Sequence, residues 1–261
     1  MQGTFTLLGT GASTGVPVIG CNCKVCTSTS EFNKRLRTSA LLEVQGKHIL
    51  IDSGPDFRIQ ALKYGIEKLD AMILTHTHFD HIAGIDELRI YTFRQKRALP
   101  CILSAQSYEE IKIRYYYLFK EKNSKDNGSA SLAFQALEKD RGIVELFGLP
   151  ITYFSYLQGN MPVNGIRIGN FAYVTDIQKY SESIFEDLYG VEILVVSALR
   201  ESASFIHFNL EEAISFARKV NAKKVYLTHL SHELDYKDVS SKLPPGVHLG
   251  FDGLKIHFTL D

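Results

Sequence analysis

Three histidines and an aspartate fall within six positions in the stretch Thr75-His76-Thr77-His78-Phe79-Asp80-His81, directly after the apolar run Ala71-Met72-Ile73-Leu74. Imidazole and carboxylate groups this dense at the end of a buried strand need a shared partner once water is partly excluded, and a divalent cation satisfies both. His76 and His78, two positions apart on extended chain, point to one face and converge on one ion, while Asp80 and His81 on the turn beyond reach a neighbouring one. The pattern predicts up to two adjacent ions, zinc or manganese. A second donor cluster, Cys21, Cys23 and Cys26, has the spacing C-x-C-x-x-C. It can wrap three thiolates around one structural zinc, with a fourth donor to come from Cys101 or a histidine. The glycine stretch from Gly9 to Gly15 lacks the dinucleotide spacing and a following helix, so no nucleotide cofactor is expected.

Positioning these groups requires strands that end at them. Short β-branched or aromatic runs recur along the chain: TFTLLG, SALLEVQ, KHILIDS, DAMILTH, ITYFSYL, FAYVTD, VEILVVSA, KKVYLTH and LKIHFTL. Their length and composition suit buried strands. Helical patterns lie between them, in PDFRIQALKYG, GIDELRIYTFRQ, SYEEIKIRYYYLF and NLEEAISFARKVNA, the last with Asn209 as its cap. Strands at both ends with helices after each half predict an α/β fold of two sheets packed face to face, with helices outside. The expectation is one domain over residues 1–261. The polar, Ser/Gly/Lys-rich stretch 120–142 is read as an insertion or lid.

Lys+Arg and Asp+Glu are equal at 29 each, so no global field draws the chain to nucleic acid or to anionic lipid. This argues only weakly against a nucleic-acid partner. The chain has no run of about 18 apolar residues and no secretory N-terminal pattern, which predicts a cytoplasmic protein with no membrane partner. The oligomeric state is left open, a homodimer included. His48, His248 and His257 stand singly in strand patterns and are read as ordinary packed or surface residues.

His-x-His-x-Asp-His after a buried strand resembles the signature of the metallo-β-lactamase superfamily. The likeness runs through GTGASTGVPVIGCNCKVC, DSGPDFR, THTHFDHIAGIDELR, FAYVTD, HFNLEEA, YLTHLSHEL and FDGLKI. It is similar to the branch containing the phosphoribosyl 1,2-cyclic phosphate phosphodiesterase. The resemblance implies an αββα sandwich of two mixed β-sheets flanked by helices. It implies that Asp176 bridges both metals, that His229 joins Asp80 and His81 on the second, and that His232 is the fourth ligand of the cysteine zinc. His207 is implied as general acid, with Asp80 as ligand and proton acceptor.

One departure stands out: the superfamily places a further histidine ligand where this chain has Gln158. A neutral amide oxygen is a weaker donor than imidazole for zinc, so the ion at His76 and His78 should be held less tightly. Gln158 is read either as that weak ligand or as a solvent-facing turn residue. The implied activity is hydrolysis of a small phosphodiester, such as a cyclic ribose phosphate or a cyclic nucleotide, by hydroxide held between two cations. The alternatives are an RNA-processing endonuclease, a thioester or lactone hydrolase, and a degenerate metal-binding protein without turnover.

Overall fold

The structure, a computed structural model, describes residues 1–119 and 128–260. Its first half runs β1 (Gln2–Gly9), β2 (Ser39–Val44), β3 (Lys47–Ile51), α1 (Phe57–Lys63), β4 (Ala71–Ile73), α2 (Phe79–Ile82), α3 (Arg89–Gln95), β5 (Leu99–Ser104), α4 (Ala105–Arg114) and β6 (Leu132–Leu137). The second half runs β7 (Arg141–Leu146), β8 (Leu149–Gln158), β9 (Met161–Ile168), β10 (Phe171–Val174), α5 (Ile184–Asp187), β11 (Ile193–Ser197), α6 (Leu210–Val220), β12 (Lys224–Thr228), α7 (Tyr236–Ser240), β13 (Val247–Leu249) and β14 (Lys255–Thr259).

The strands form two seven-stranded sheets, ordered β14-β1-β2-β3-β4-β5-β6 and β13-β12-β11-β10-β9-β8-β7. Each is mixed. Pairing is antiparallel from β14 to β3 and parallel from β3 to β6. In the second sheet β10 to β13 are parallel and β7 to β10 antiparallel.

Alternation along the strands explains the layering. In β3, Ile49 and Ile51 join the core between the sheets, whereas Leu50 faces a second core formed with Phe57, Leu88, Tyr91 and Ile111. In β10, Tyr173 points inward and Val174 outward to Phe216 and Val220 of α6. Strands buried on both faces read as unbroken apolar runs, which is why KHILIDS and FAYVTD were conspicuous. The result is the expected αββα sandwich. Helix α6 starts as its sequence requires, with the Asn209 side chain accepting from the Glu212 backbone N–H and the Glu212 carboxylate accepting from the Asn209 N–H, both at 2.8 Å.

The stretch 120–142, read as an insertion or lid, is described from residue 128 onward. Residues 120–127 lie outside the described residues, but β6 pairs in parallel with β5 and β7 begins at Arg141. Residues 132–137 thus supply the edge strand of the first sheet, and Arg141 opens that of the second. Edge strands expose every other residue to water, so they lack the continuous apolar run that marks a central strand. Among the described residues, no helix is long and apolar enough to cross a membrane.

Candidate metal centre

The functional side chains come from segments that follow strand ends in both sheets, along one edge of the sandwich. Strand β4 stops at Ile73, so the histidine motif sits in the loop beyond it and in α2. Asp52 follows β3, Asp176 follows β10 and His229 follows β12. All three adopt left-handed backbone, with φ of 61°, 57° and 58°. Such conformations are uncommon outside glycine and concentrate where side chains must be aimed. Gly54 lets the loop that carries Asp52 pack against the histidine motif, since a β-carbon there would lie 2.0 Å from the Asp80 carbonyl oxygen.

Atoms with lone pairs converge. Asp80 Oδ2 lies 3.5 Å from His81 Nε2 and 3.3 Å from His229 Nε2. Asp176 reaches His81 Nε2 through Oδ2 at 3.3 Å and His229 Nε2 through Oδ1 at 3.2 Å. A cation holding nitrogen and oxygen at about 2.0–2.1 Å in a tetrahedron separates them by about 3.3–3.4 Å. The four side chains therefore already have the edges of a coordination shell. Beside them, His76 Nε2 and His78 Nδ1 are 3.0 Å apart, and His76, His81 and Asp176 offer ligand atoms within 4.8 Å of one another. Asp176 and His81 are common to both groups, and of the two only Asp176 has two ligand oxygens to offer. His76, Asp80, His81, Asp176 and His229 are all at most 4 % exposed, and His81 Nε2 and His229 Nδ1 are buried without a hydrogen-bond partner. The donor set fits divalent metal.

The charges agree. Burial penalises the imidazolium of His81, but Asp176, Asp52 and Asp80 outweigh it and lift its pKa well above the ordinary value. Burial likewise opposes ionisation of Asp176 and Asp80, yet His229 and His81 hold the first, and His81 and His229 the second, well below the usual carboxylate range. A pocket of this kind draws positive charge inward.

Asp52, which the sequence did not single out, organises the centre from beneath. Its Oδ1 accepts from the Thr75 backbone N–H at 2.8 Å, and its Oδ2 accepts from the Thr75 hydroxyl and from His81 Nδ1, both at 2.7 Å. Because a carboxylate only accepts, His81 keeps a proton on Nδ1, so Nε2, which faces the centre, is the nitrogen that would give up its proton to a cation. The Thr75 hydroxyl, committed as donor to Asp52, accepts from His76 Nδ1 at 3.0 Å, which frees His76 Nε2 in the same way. From outside, α4 braces the loop: Arg114 Nη1 donates to the Thr77 carbonyl at 2.6 Å, and the Thr77 hydroxyl donates to Glu110.

Gln158 ends β8 and is 6 % exposed, so the solvent-facing reading is corrected: the strand end turns it inward. Its Nε2 lies 3.1 Å from Asp176 Oδ1 and 2.9 Å from His207 Nε2, while its Oε1 has no partner. His207 is also 6 % exposed, with its ring on that of His229 at 4.8 Å. Burial, reinforced by His229, lowers its pKa to about 4.

The structure brings His232 to the second donor cluster. His232 Nδ1 lies 3.3, 3.6 and 3.5 Å from the sulfurs of Cys21, Cys23 and Cys26. Thiolate at about 2.3 Å and imidazole at about 2.0–2.1 Å around tetrahedral zinc would be about 3.5 Å apart. The Cys26 backbone N–H lowers Cys23 to about 6, whereas burial raises Cys26 to about 11. Cys101 is not the fourth donor; it lies within β5 with its side chain in the core beneath the helices, at 0 % exposure. The segment carrying both His229 and His232 is fixed further by Arg35, whose guanidinium is 2 % exposed and donates to the carbonyls of Ser231 at 2.8 Å and Leu234 at 2.7 Å. The glycine loop pairs there too, through Ala12 N–H to Leu230 at 3.1 Å and Leu230 N–H to Thr10 at 2.8 Å. The loop thus braces the segment that carries His229. His257 pairs with Thr4 and His248 packs on Tyr226, both away from these clusters.

Comparison with known proteins agrees with this geometry. The family described as a beta-lactamase superfamily domain matches residues 47–230. An octanoyltransferase of Porphyromonas gingivalis is 37 % identical over 95 % of this chain and 50 % of its own length, so the chain spans half of that relative. A crystal structure of a diphosphatase from the PhnP family superposes with a TM-score of 0.92 at 36 % identity, covering 100 % of this chain and 98 % of the other. Zinc-bound PqqB from Methylobacterium extorquens shares the fold, with a TM-score of 0.76 at 18 % identity over 97 % and 99 % of the two chains.

Proposed function

The chain belongs to the metallo-β-lactamase superfamily of metal-dependent hydrolases, and on that premise we propose that it cleaves a small phosphodiester-type linkage, a cyclic ribose phosphate or cyclic nucleotide being the leading candidates. The observation that carries this reading is Asp176, one carboxylate reaching both ligand groups, which suits two neighbouring cations on one phosphoryl group. Bound there, zinc or manganese supplies Lewis acidity, an acidified water and a positive seat for a phosphoryl oxygen.

The protein's own residues divide the remaining work. His76, His78, Asp80, His81, Asp176 and His229 hold and orient the ions, and Asp52 fixes which imidazole nitrogens face them. Asp80 is strongly disposed to stay ionised, so of its two expected roles ligation is better supported than proton acceptance. His207, within 4.8 Å of the ligand atoms of Asp176 and His229, is the group placed to meet a substrate oxygen. The balanced charge of the chain favours a small substrate over a long polyanion. The diphosphatase relative supports chemistry at phosphorus; the name of the octanoyltransferase belongs to a protein twice as long.

The test is a hydrolysis screen with zinc- and manganese-loaded protein against bis-p-nitrophenyl phosphate, cyclic ribose phosphates, cyclic nucleotides, a dinucleoside diphosphate, RNA and an octanoyl thioester. Turnover confined to the small phosphorus esters is the expected result. His207→Ala should lose about 10²-fold in kcat with metal content intact. Turnover of the thioester or RNA alone would replace the proposal.

A further inference from the structure

A single glutamine decides what His207 can offer to substrate. The Asp176 carboxylate accepts hydrogen bonds and donates none, so the Gln158 amide must turn its NH₂ toward Oδ1, 3.1 Å away. That nitrogen has a second N–H, and 2.9 Å from it lies His207 Nε2. Two nitrogens this close attract only if one brings a lone pair, and the amide lone pair is delocalised into the carbonyl. His207 Nε2 is therefore the acceptor, and the ring proton sits on Nδ1.

Nδ1 is buried and has no hydrogen-bond partner; the nearest carboxylate oxygen, Asp176 Oδ1, is 3.6 Å off. A buried donor left unpaired costs about 1–3 kcal/mol, which ordinary packing would eliminate and a ligand oxygen would relieve. His207 also groups with the ligand atoms of Asp176 and His229, and its Nδ1 is the nitrogen that faces Asp176 Oδ1. Carrying a proton, it cannot be a metal ligand, so that trio is not a third ion site.

The geometry points to Gln158 as a positioning residue that locks His207 in its Nδ1–H tautomer, so that His207 presents a hydrogen-bond donor to an oxygen of the bound substrate. The identity of that oxygen, on a phosphoryl or leaving group, rests on the hydrolase reading above; the tautomer does not. The family resemblance implied a general acid at His207. Passing on the Nδ1 proton would leave an imidazolate unless Nε2 took one, and Nε2 faces an N–H. His207 accordingly stabilises charge by hydrogen bonding, and the leaving oxygen takes its proton from water. Gln158 then has a use that a weak ligand would not explain.

The test is nitrogen-15 NMR of ring-labelled histidine in the metal-replete protein, with the His207 signals identified by their loss in His207→Asn. The parent should show His207 protonated on Nδ1 and bare on Nε2. Gln158→Met, which keeps length and removes both N–H groups, should release it into a mixture of tautomers. Gln158→Glu, which sets an acceptor against Nε2, should move the proton to Nε2. A parent His207 protonated on Nε2, or metal-bound through Nδ1, would overturn the inference, as would Met and Glu variants that keep the parent tautomer. Should a variant fail to fold, the parent spectrum alone still decides. No turnover is needed, so a wrong substrate class leaves this result untouched.

Discussion

Replacing Asp52 by Asn should weaken the metal centre without touching a ligand. Asp52 is 0 % exposed and accepts three hydrogen bonds, from the Thr75 N–H, the Thr75 hydroxyl and His81 Nδ1. Asparagine cannot satisfy all three. With its NH₂ toward the Thr75 N–H, two donors face each other and a buried backbone amide goes unpaired, costing about 1–3 kcal/mol. With its NH₂ toward His81, the ring must move its proton to Nε2, removing the lone pair that faces Asp80 and Asp176. Either way the donor set is degraded, and loss of such an outer partner costs about 10–100-fold in metal affinity. Zinc competition against a chromogenic chelator reads this directly, with the Cys21/Cys23/Cys26/His232 ion as internal control. Melting should drop by about 2–4 °C for each kcal/mol lost. An Asp52→Asn protein that binds zinc within about twofold of the parent would refute the argument that Asp52 sets the ligand tautomers.

Gln158→His should raise zinc retention after matched dialysis by up to about one ion per chain, because imidazole is the better donor; unchanged retention would show that this position does not reach the His76/His78 group. Cys23→Ser should remove about one zinc per chain and lower the melting temperature, and unchanged melting would argue against a clip between the N-terminal loop and His232. Burial lifts Asp252 from its ordinary 3.8 to about 6, although it accepts from the Thr10 N–H and hydroxyl and the Leu36 N–H. A carboxyl raised in this way contributes stability that is complete below the unfolded value and lost as pH rises through the folded one. The stability of the parent minus that of Asp252→Asn should therefore fall by up to about 3 kcal/mol between about pH 4 and pH 7; a flat difference would contradict it.

The parts of this centre that the sequence revealed are those packed into one short segment. His76, His78, Asp80 and His81 were legible because nothing but a shared cation explains such density. Asp176 and His229 were not, on their own: an acid or a histidine after a strand is commonplace, and only the resemblance selected them. What distinguishes them physically is left-handed backbone, which follows from how β10 and β12 are held rather than from local composition. Asp52 was hidden for a related reason, since its partners Thr75 and His81 lie 23 and 29 residues away and no spacing encodes that contact. Gln158 could be placed at a strand end but not turned inward, because its burial depends on Asp176 and His207. Most interior strands are legible from their apolar runs, but β5, interrupted by Pro100 and Cys101, is not, nor is the three-residue edge strand β13. Strands β6 and β7, half wetted at the sheet edges, and β9, with Pro162, Asn164 and Gly165 in its course, carry no apolar run that marks them as strands.

The measurement that bears most directly on the whole account is elemental analysis of freshly purified parent beside His229→Ala. Four side chains, Asp80, His81, Asp176 and His229, are held to share one cation, while the cysteine cluster holds another independently. The parent should then carry at least about two divalent ions per chain, and the variant should lose about one and keep the cysteine-bound zinc. Equal metal content in the two proteins would mean that the pocket built by these residues does not bind the ion on which the proposed hydrolysis depends.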